Sequence, residues 1–341
     1  EPSVRPAGAG EFTFRSFLNG KTDLSRAEAV ADLIHAKDAA AHKNARHQLG
    51  GGLMGLVSSI SENLTHSLVL LEAELDFSDQ EIEFTPTEAL LPSLQEIKET
   101  TLSLLDTYYY GRRLEEGFRV PIVGSPNSGK SSLFNQLLKQ DRAIVTSQAG
   151  TTRDTIEKAI SIAGHTVVLV DTAGLRDTKD EAELSGVDRS NEEISRADLV
   201  VLVHAPDTEN ISLSLPDDAQ QITVYNKVDL DTSPPKNKDI YTSCSTGSGL
   251  ESLHNAIYSH VINISSKNVQ GVVLSNERHR DVFNRFLEQV SACISAAGAS
   301  LGPEYVASDL RLALDILGEI TGKTTPDDIL NQIFSGFCVG K

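Results

Sequence analysis

The sequence predicts an α/β domain, a mostly parallel sheet with helices on both faces, inserted into a discontinuous all-α helical domain made from the two ends of the chain. Two observations predict this. The hydrophobic period switches: residues 21–117 and 267–341 carry the three- and four-residue steps of amphipathic helices. Between them, over 118–266, short apolar runs end in polar turns and alternate with helix-like stretches. The second observation is a glycine-rich motif, "GSPNSGKS" at Gly124–Ser131, placed directly after one apolar run and directly before the helical "SSLFNQLL". A chain of 341 residues has room for two such cores.

The elements follow in order. Ser25 and Glu28 have the spacing of a capping box ahead of "RAEAVADLI", so each side chain can satisfy an amide of the first helical turn. Leu49, Leu53, Leu56, Ile60, Leu64, Leu68, Leu71 and Leu75 form the apolar stripe of one long helix from Asn44 to Leu75. After the breaker Pro86, a third helix is expected over Thr87–Glu115. The runs "VPIV", "TVVLVDTAG", "DLVVLVHA", "ITVYNKVD" and "IYTSCS" read as strands. Pro121 has no ladder donor and marks either the first residue of its strand or a bulge. Gly164 and His165 are placed to turn a hairpin between "TIEKAISIA" and "TVVLVD". Beyond Ser265 the helical period returns in "VFNRFLEQVSACI" and "DLRLALDIL", and a last helix is expected to open with Thr325 as its capping residue, Pro326 at the first helical position and two aspartates at the positive end of the dipole.

Composition narrows the function. Asp and Glu total 48 against 30 Lys and Arg, a formal charge of -18, which predicts no broad affinity for nucleic acid and no DNA partner. Three cysteines, Cys244, Cys293 and Cys338, lack metal-ligand spacing and favour a reducing compartment. No apolar stretch approaches the roughly 18 residues of a membrane span, and the N-terminus lacks the apolar core of a signal peptide. A soluble, cytoplasmic protein without a membrane partner is expected.

The motifs carry the chemistry. In G-x-x-x-x-G-K-[ST] the glycines let backbone amides close around phosphate oxygens. Lys130 reaches the terminal phosphates, and the Ser131 hydroxyl can ligate Mg²⁺. "NKVD", Asn226–Asp229, follows another strand. Asp229 can accept two hydrogen bonds from the guanine edge, a pair adenine cannot offer. "SCS", Ser243, Cys244 and Ser245, would complete the base pocket through backbone amides. "GTTRD", Gly150–Asp154, lies where a loop can bring the Thr152 hydroxyl to Mg²⁺, and Asp171 and Gly174 of "DTAG" would face the metal and the terminal phosphate. Together these describe a P-loop GTPase domain taking GTP and GDP. The place often held by a water-orienting glutamine, however, is Leu175, which cannot polarise water; nor can Arg176 act as a base. The stretch that follows carries Asp177, Asp180, Glu181 and Glu183.

These motifs, with "GEFTFRSFLNGKTDL" at Gly10–Leu24 and the terminal "FCVGK" at Phe337–Lys341, closely resemble the MnmE (TrmE) family of tRNA-modification GTPases over essentially the whole chain. The resemblance implies a G domain inserted into a discontinuous helical domain. Residues 1–20 then correspond to the tail and linker of an N-terminal tetrahydrofolate-binding domain. It further implies action with the flavoprotein MnmG on carbon 5 of the wobble uridine of certain tRNAs. The one-carbon unit comes from 5-formyltetrahydrofolate or another tetrahydrofolate carrier. By resemblance, nucleotide is held by Asn127, Ser128, Gly129, Lys130, Ser131 and Ser132; by Thr146, Ser147, Gln148, Ala149, Gly150, Thr151 and Thr152; by Asp171, Thr172, Ala173 and Gly174; and by Asn226, Lys227, Asp229 and the SCS residues. Ser131 and Thr152 hold Mg²⁺; Asn127, Thr146, Gln148 and Thr151 hold K⁺; Lys21 and Lys341 approach the folate. Where the family has "TDIAGTTRD" this chain has "TSQAGTTRD". Glu183 becomes the catalytic choice, orienting water directly or through a second water, in a potassium-stimulated GTPase activated by pairing of two G domains in a homodimer.

Two readings of Cys338 stand: a thiolate taking part in the modification chemistry, or a small apolar filler between Phe337 and Val339. Competing functions are a ribosome-assembly GTPase and a septin- or dynamin-like interaction switch. The missing glutamine suits the switch, and the tail "FCVGK" argues against both.

Overall fold

The computed structural model describes residues 5–76, 87–140, 156–162, 164–172, 193–208, 220–231, 235, 239–265, 271–299 and 301–338. The chain divides into two compact units, one of Glu1–Ala36, Ala41–Glu115 and Val269–Lys341, the other of Lys37–Ala40 and Glu116–Asn268.

The first unit is helical: α1 (Glu11–Leu18), α2 (Leu24–His35), α3 (Ala39–Leu49), α4 (Gly52–Asp76), α5 (Leu91–Asp106) and α6 (Tyr108–Glu116), rejoined late in the chain by α9 (Glu277–Gly298), α10 (Pro303–Thr321) and α11 (Asp327–Ser335). Its core joins Leu53, Ile60 and Leu64 of α4 and Leu94 and Ile97 of α5 to Phe283 and Phe286 of α9 and Leu310 and Leu317 of α10. A smaller cluster packs Phe14 and Phe17 of α1 and Leu24 of α2 against Leu330, Phe334 and Phe337.

Four local expectations are corrected. The leucine stripe belongs to two helices, because Gly51 takes a left-handed φ of 92° between α3 and α4. The third helix is also two: Thr107 ends α5, its hydroxyl donating to Leu104 O at 2.7 Å and accepting from Leu274 N at 2.9 Å. In place of the Ser25/Glu28 box, Asp23 caps α2 by accepting from Arg26 N at 3.0 Å. Glu28 is instead buried against α9, accepting from Arg278 at 2.7 and 2.9 Å and pairing with His279 at 2.8 Å. Burial pushes its carboxyl up, but these two neighbours outweigh that and hold it at about 2. Thr325 does not cap α11; its hydroxyl donates to Glu319 O at 2.9 Å.

The second unit contains a six-stranded sheet among the described residues, ordered β2-β3-β1-β4-β5-β6. The strands are β1 (Phe118–Gly124), β2 (Ile156–Ile162), β3 (His165–Asp171), β4 (Leu199–His204), β5 (Gln220–Tyr225) and β6 (Ile240–Tyr241). All pairs are parallel except β2 with β3, a hairpin whose turn contains Gly164, with a φ of 80°; His165, expected in the turn, is already the first residue of β3, opposite Ile162. Every residue of β4 is buried, as a parallel strand covered on both faces requires. Pro121 lies inside β1, opposite Val170 and one residue before the ladder to β4 begins at Ile122, so that ladder needs no donor from it. Helices α7 (Lys130–Gln140) and α8 (Leu250–Ser265) pack Leu133, Leu137, Leu253 and Ile257 onto the sheet. Because β1 neighbours β3 on one side and β4 on the other, the loop after β1 leaves the sheet where the strand order reverses. Parallel sheets bind ligands at that point.

Candidate nucleotide site

At the end of β1 the backbone is shaped by close approach. A Cβ on Gly124 would lie 2.3 Å from Val203 O, and one on Gly129 would lie 2.2 Å from Asn226 Nδ2. Gly129 has a φ of 93° and Asn127 a φ of 63°, so the loop turns through the left-handed region before α7 starts at Lys130. The ammonium of Lys130 is buried in this turn and donates to Gly124 O at 2.9 Å and Ser125 O at 2.8 Å. Ser131 and Ser132 are exposed on the first turn of α7, at the positive end of the helix dipole.

The "NKVD" motif is tied to this loop. Asn226 follows β5 and is buried; its Nδ2 donates to Ser128 O at 3.0 Å, and its Oδ1 accepts from Thr242 Oγ1 at 3.1 Å. Lys227, with a φ of 59°, is paired with Asp207 at 2.9 Å. Asp229 is exposed and accepts from Ser245 Oγ at 2.9 Å, while the Ser243 and Ser245 hydroxyls lie 2.9 Å apart. The hydroxyls of Ser243 and then Ser245 hold the Asp229 carboxyl below the usual aspartate range. Gln136 of α7 donates to Cys244 O at 3.0 Å. Gly129, Ser132, Gln136, Lys139, Asn226, Lys227, Asp229, Leu230, Cys244 and Ser245 line one cavity of about 540 Å³. Asp171 is buried at the end of β3 opposite Ile122, and Thr172 donates to Ile122 O at 2.8 Å, so the DTAG stretch starts beside the phosphate loop.

The structure thus brings together the residues of "GSPNSGKS", "NKVD" and "SCS" and the first two of "DTAG". Thr146, Ser147, Gln148, Ala149, Gly150, Thr151, Thr152, Ala173, Gly174, Leu175, Glu183 and Lys341 lie outside the described residues. Sequence reading missed Gln136, Thr242 and Asp207, whose partners lie up to 108 residues away and leave no local pattern. In the helical unit, Cys338 is exposed, against the filler reading, and its carbonyl accepts from Gly10 N at 3.3 Å, at the start of α1. Lys21 is exposed beyond the other end of α1, whose eight residues rise about 12 Å. Among the described residues no cluster of three His, Cys, Asp or Glu side chains could hold a metal, and no helix is long and apolar enough to cross a membrane.

Gly129→Ala is expected to weaken guanine nucleotide binding about 10- to 100-fold. The added Cβ displaces Asn226 and strains a positive φ, a cost of about 1–3 kcal/mol. Titration with fluorescent GDP measures it, and wild-type affinity would show that the loop and Asn226 can move apart freely.

A family profile described as the MnmE helical domain matches residues 24–338. Among curated proteins, the tRNA modification GTPase MnmE of Akkermansia muciniphila is 41% identical over 345 residues, covering 98% of this chain and 76% of its own length. Its namesakes in Geobacter metallireducens and Clostridioides difficile are 40% and 39% identical over 352 residues, each covering 99% of this chain and 77% of their own. Among solved structures, the G domain of the T. maritima FeoB iron transporter covers 42% of this chain and 98% of its own at 22% identity and a TM-score of 0.31.

Proposed function

This chain belongs to the MnmE family of tRNA modification GTPases, and from that premise we propose that it couples GTP hydrolysis to modification of carbon 5 of the wobble uridine of certain tRNAs, acting with MnmG and a folate-borne one-carbon unit. The observation that carries the nucleotide half is one cavity shared by the glycine-walled phosphate loop and the Asp229 carboxylate, with Asn226 bonded to the loop. The family sets aside the ribosome-assembly and septin-like readings. Nucleoside analysis of tRNA from cells lacking the protein tests the assignment: the carbon-5 modification should disappear, and normal modification would remove the assignment.

The described residues suit the phosphates and Mg²⁺ of this reading. Gly124 and Gly129 leave a cradle that side chains would fill, Lys130 stands at it, and the exposed Ser131 hydroxyl is the hard oxygen donor that Mg²⁺ prefers. Thr152 would be the second Mg²⁺ ligand. Asn127, with Thr146, Gln148 and Thr151, would hold K⁺, which would supply positive charge of the kind an arginine finger otherwise supplies. Glu183 orients the attacking water, and pairing of two G domains activates hydrolysis. In this reading the protein is a cytoplasmic homodimer.

For the modification half, Lys21 and Lys341 approach a 5-formyltetrahydrofolate or related tetrahydrofolate carrier, and Cys338 takes part in the transfer. Its exposure supports this, since a thiol must be reachable to react. Cys338→Ser in the full-length protein is expected to leave GTP hydrolysis within twofold of wild type while abolishing the wobble modification. Full modification by the serine variant would end any chemical role for the thiol.

A further inference from the structure

Guanine recognition in this fold is read from Asp229 and the SCS loop, yet neither lies on a rigid element. Asp229 sits in a single 3-10 turn, Val228–Leu230, and Ser245 in the exposed loop between β6 and α8. A carboxylate on such a turn discriminates bases only if its direction is held. The structure shows what reaches it. Ser245 Oγ donates to Asp229 Oδ2 at 2.9 Å. The peptide that carries the Ser245 amide is the Cys244–Ser245 unit, and its carbonyl, Cys244 O, accepts from Gln136 Nε2 at 3.0 Å. A peptide unit is planar and trans, so its C=O and N–H point in opposite directions. Gripping the oxygen from one side therefore aims the Ser245 N–H to the other and fixes where the Ser245 hydroxyl starts. Gln136 itself is on α7, the helix that begins in the phosphate loop, and Ser132, Gln136 and Lys139 line the same cavity at helical spacing.

From this the geometry points to Gln136 as a positioning residue for guanine selectivity. It straps the base-reading loop to the phosphate-binding helix and, through the Cys244–Ser245 peptide, sets the aim of Asp229. It touches no reacting atom. The Asn226 bond to Ser128 O ties the other side of the pocket to the phosphate loop, so the base is read between two straps that share one anchor. The inference rests on the reading of this cavity as a guanine nucleotide site.

The test is binding of fluorescent GDP and IDP to the whole chain as wild type, Gln136→Glu and Gln136→Leu. IDP lacks the 2-amino group, so the ratio of the two affinities reports how well Asp229 is aimed. Gln136→Glu keeps the shape but turns the donor into an acceptor facing a carbonyl. Loss of one such hydrogen bond should weaken GDP by about 3- to 10-fold, with a smaller effect on IDP, so that the ratio narrows. Gln136→Leu should narrow the ratio in the same direction, and it keeps the experiment readable if the new charge disturbs α7. GDP affinity within twofold of wild type in both variants would overturn the proposal. So would equal weakening of GDP and IDP, the mark of a merely structural contact. A wild-type chain that fails to prefer GDP over IDP would instead remove the guanine reading, and the strap with it.

Discussion

Replacing Asp229 with Asn is expected to weaken GTP and GDP binding by roughly 10² to 10⁴-fold. The carboxylate offers two acceptors to the two N–H donors of the guanine edge, and hydrogen bonds to a charged group contribute about 1.5–3 kcal/mol each. An amide keeps one acceptor and turns a donor toward a donor, so one bond is lost and another becomes repulsive. Xanthine presents a 2-oxo group where guanine has its amine, which reverses that polarity. Xanthosine nucleotide should therefore recover part of the lost affinity in the variant while binding poorly to wild type. The hydroxyls of Ser243 and Ser245 remain available to orient the new amide, since each can donate or accept. Isothermal titration with GDP and XDP decides the matter: unchanged GDP affinity would place the base pocket elsewhere.

Glu183→Ala is expected to lose about 10² to 10⁴ in turnover while GTP binding stays within a few-fold, because a group that positions and polarises water acts in the transition state and not on the bound base. Leu175→Gln should give no large gain, since on this reading the water is already oriented by Glu183. Hydrolysis by wild type should run faster in potassium than in sodium, and G domains should pair in the presence of a transition-state mimic. Single-turnover hydrolysis in the two salts, with nucleotide affinity measured alongside, separates binding from chemistry. Equal rates in the two salts would remove the potassium part of the mechanism. A fully active Glu183→Ala would show that another group replaces the missing glutamine.

What the sequence determined by itself was everything with a short-range cause. The change of hydrophobic period marks the helical and α/β parts because helices and strands bury one face at different spacings. "GSPNSGKS" and "NKVD" are legible because phosphate and guanine each demand several groups within a few residues, on one loop. The hairpin turned at Gly164 follows from the same local logic. Tertiary structure decided the rest, wherever a side chain had to choose between a neighbour in sequence and one in space. Glu28 has the spacing of a capping box, yet it is buried beside Arg278 and His279, 250 and 251 residues away, where leaving it uncapped costs less than leaving it unpaired. The leucine stripe runs unbroken through Gly51 in sequence, but that residue's left-handed backbone splits the helix. Thr107 interrupts the third helix where its hydroxyl accepts from Leu274 N, and the same segment passes so close to α6 that a Cβ on Gly111 would lie 2.2 Å from the Leu274 carbonyl. Gln136 is an unremarkable polar residue of α7 until the fold brings Cys244 within 3.0 Å of it. Periodicity and motif spacing record contacts made within a few residues; a hydrogen bond between positions 108 apart is specified only when the whole sheet has placed both ends.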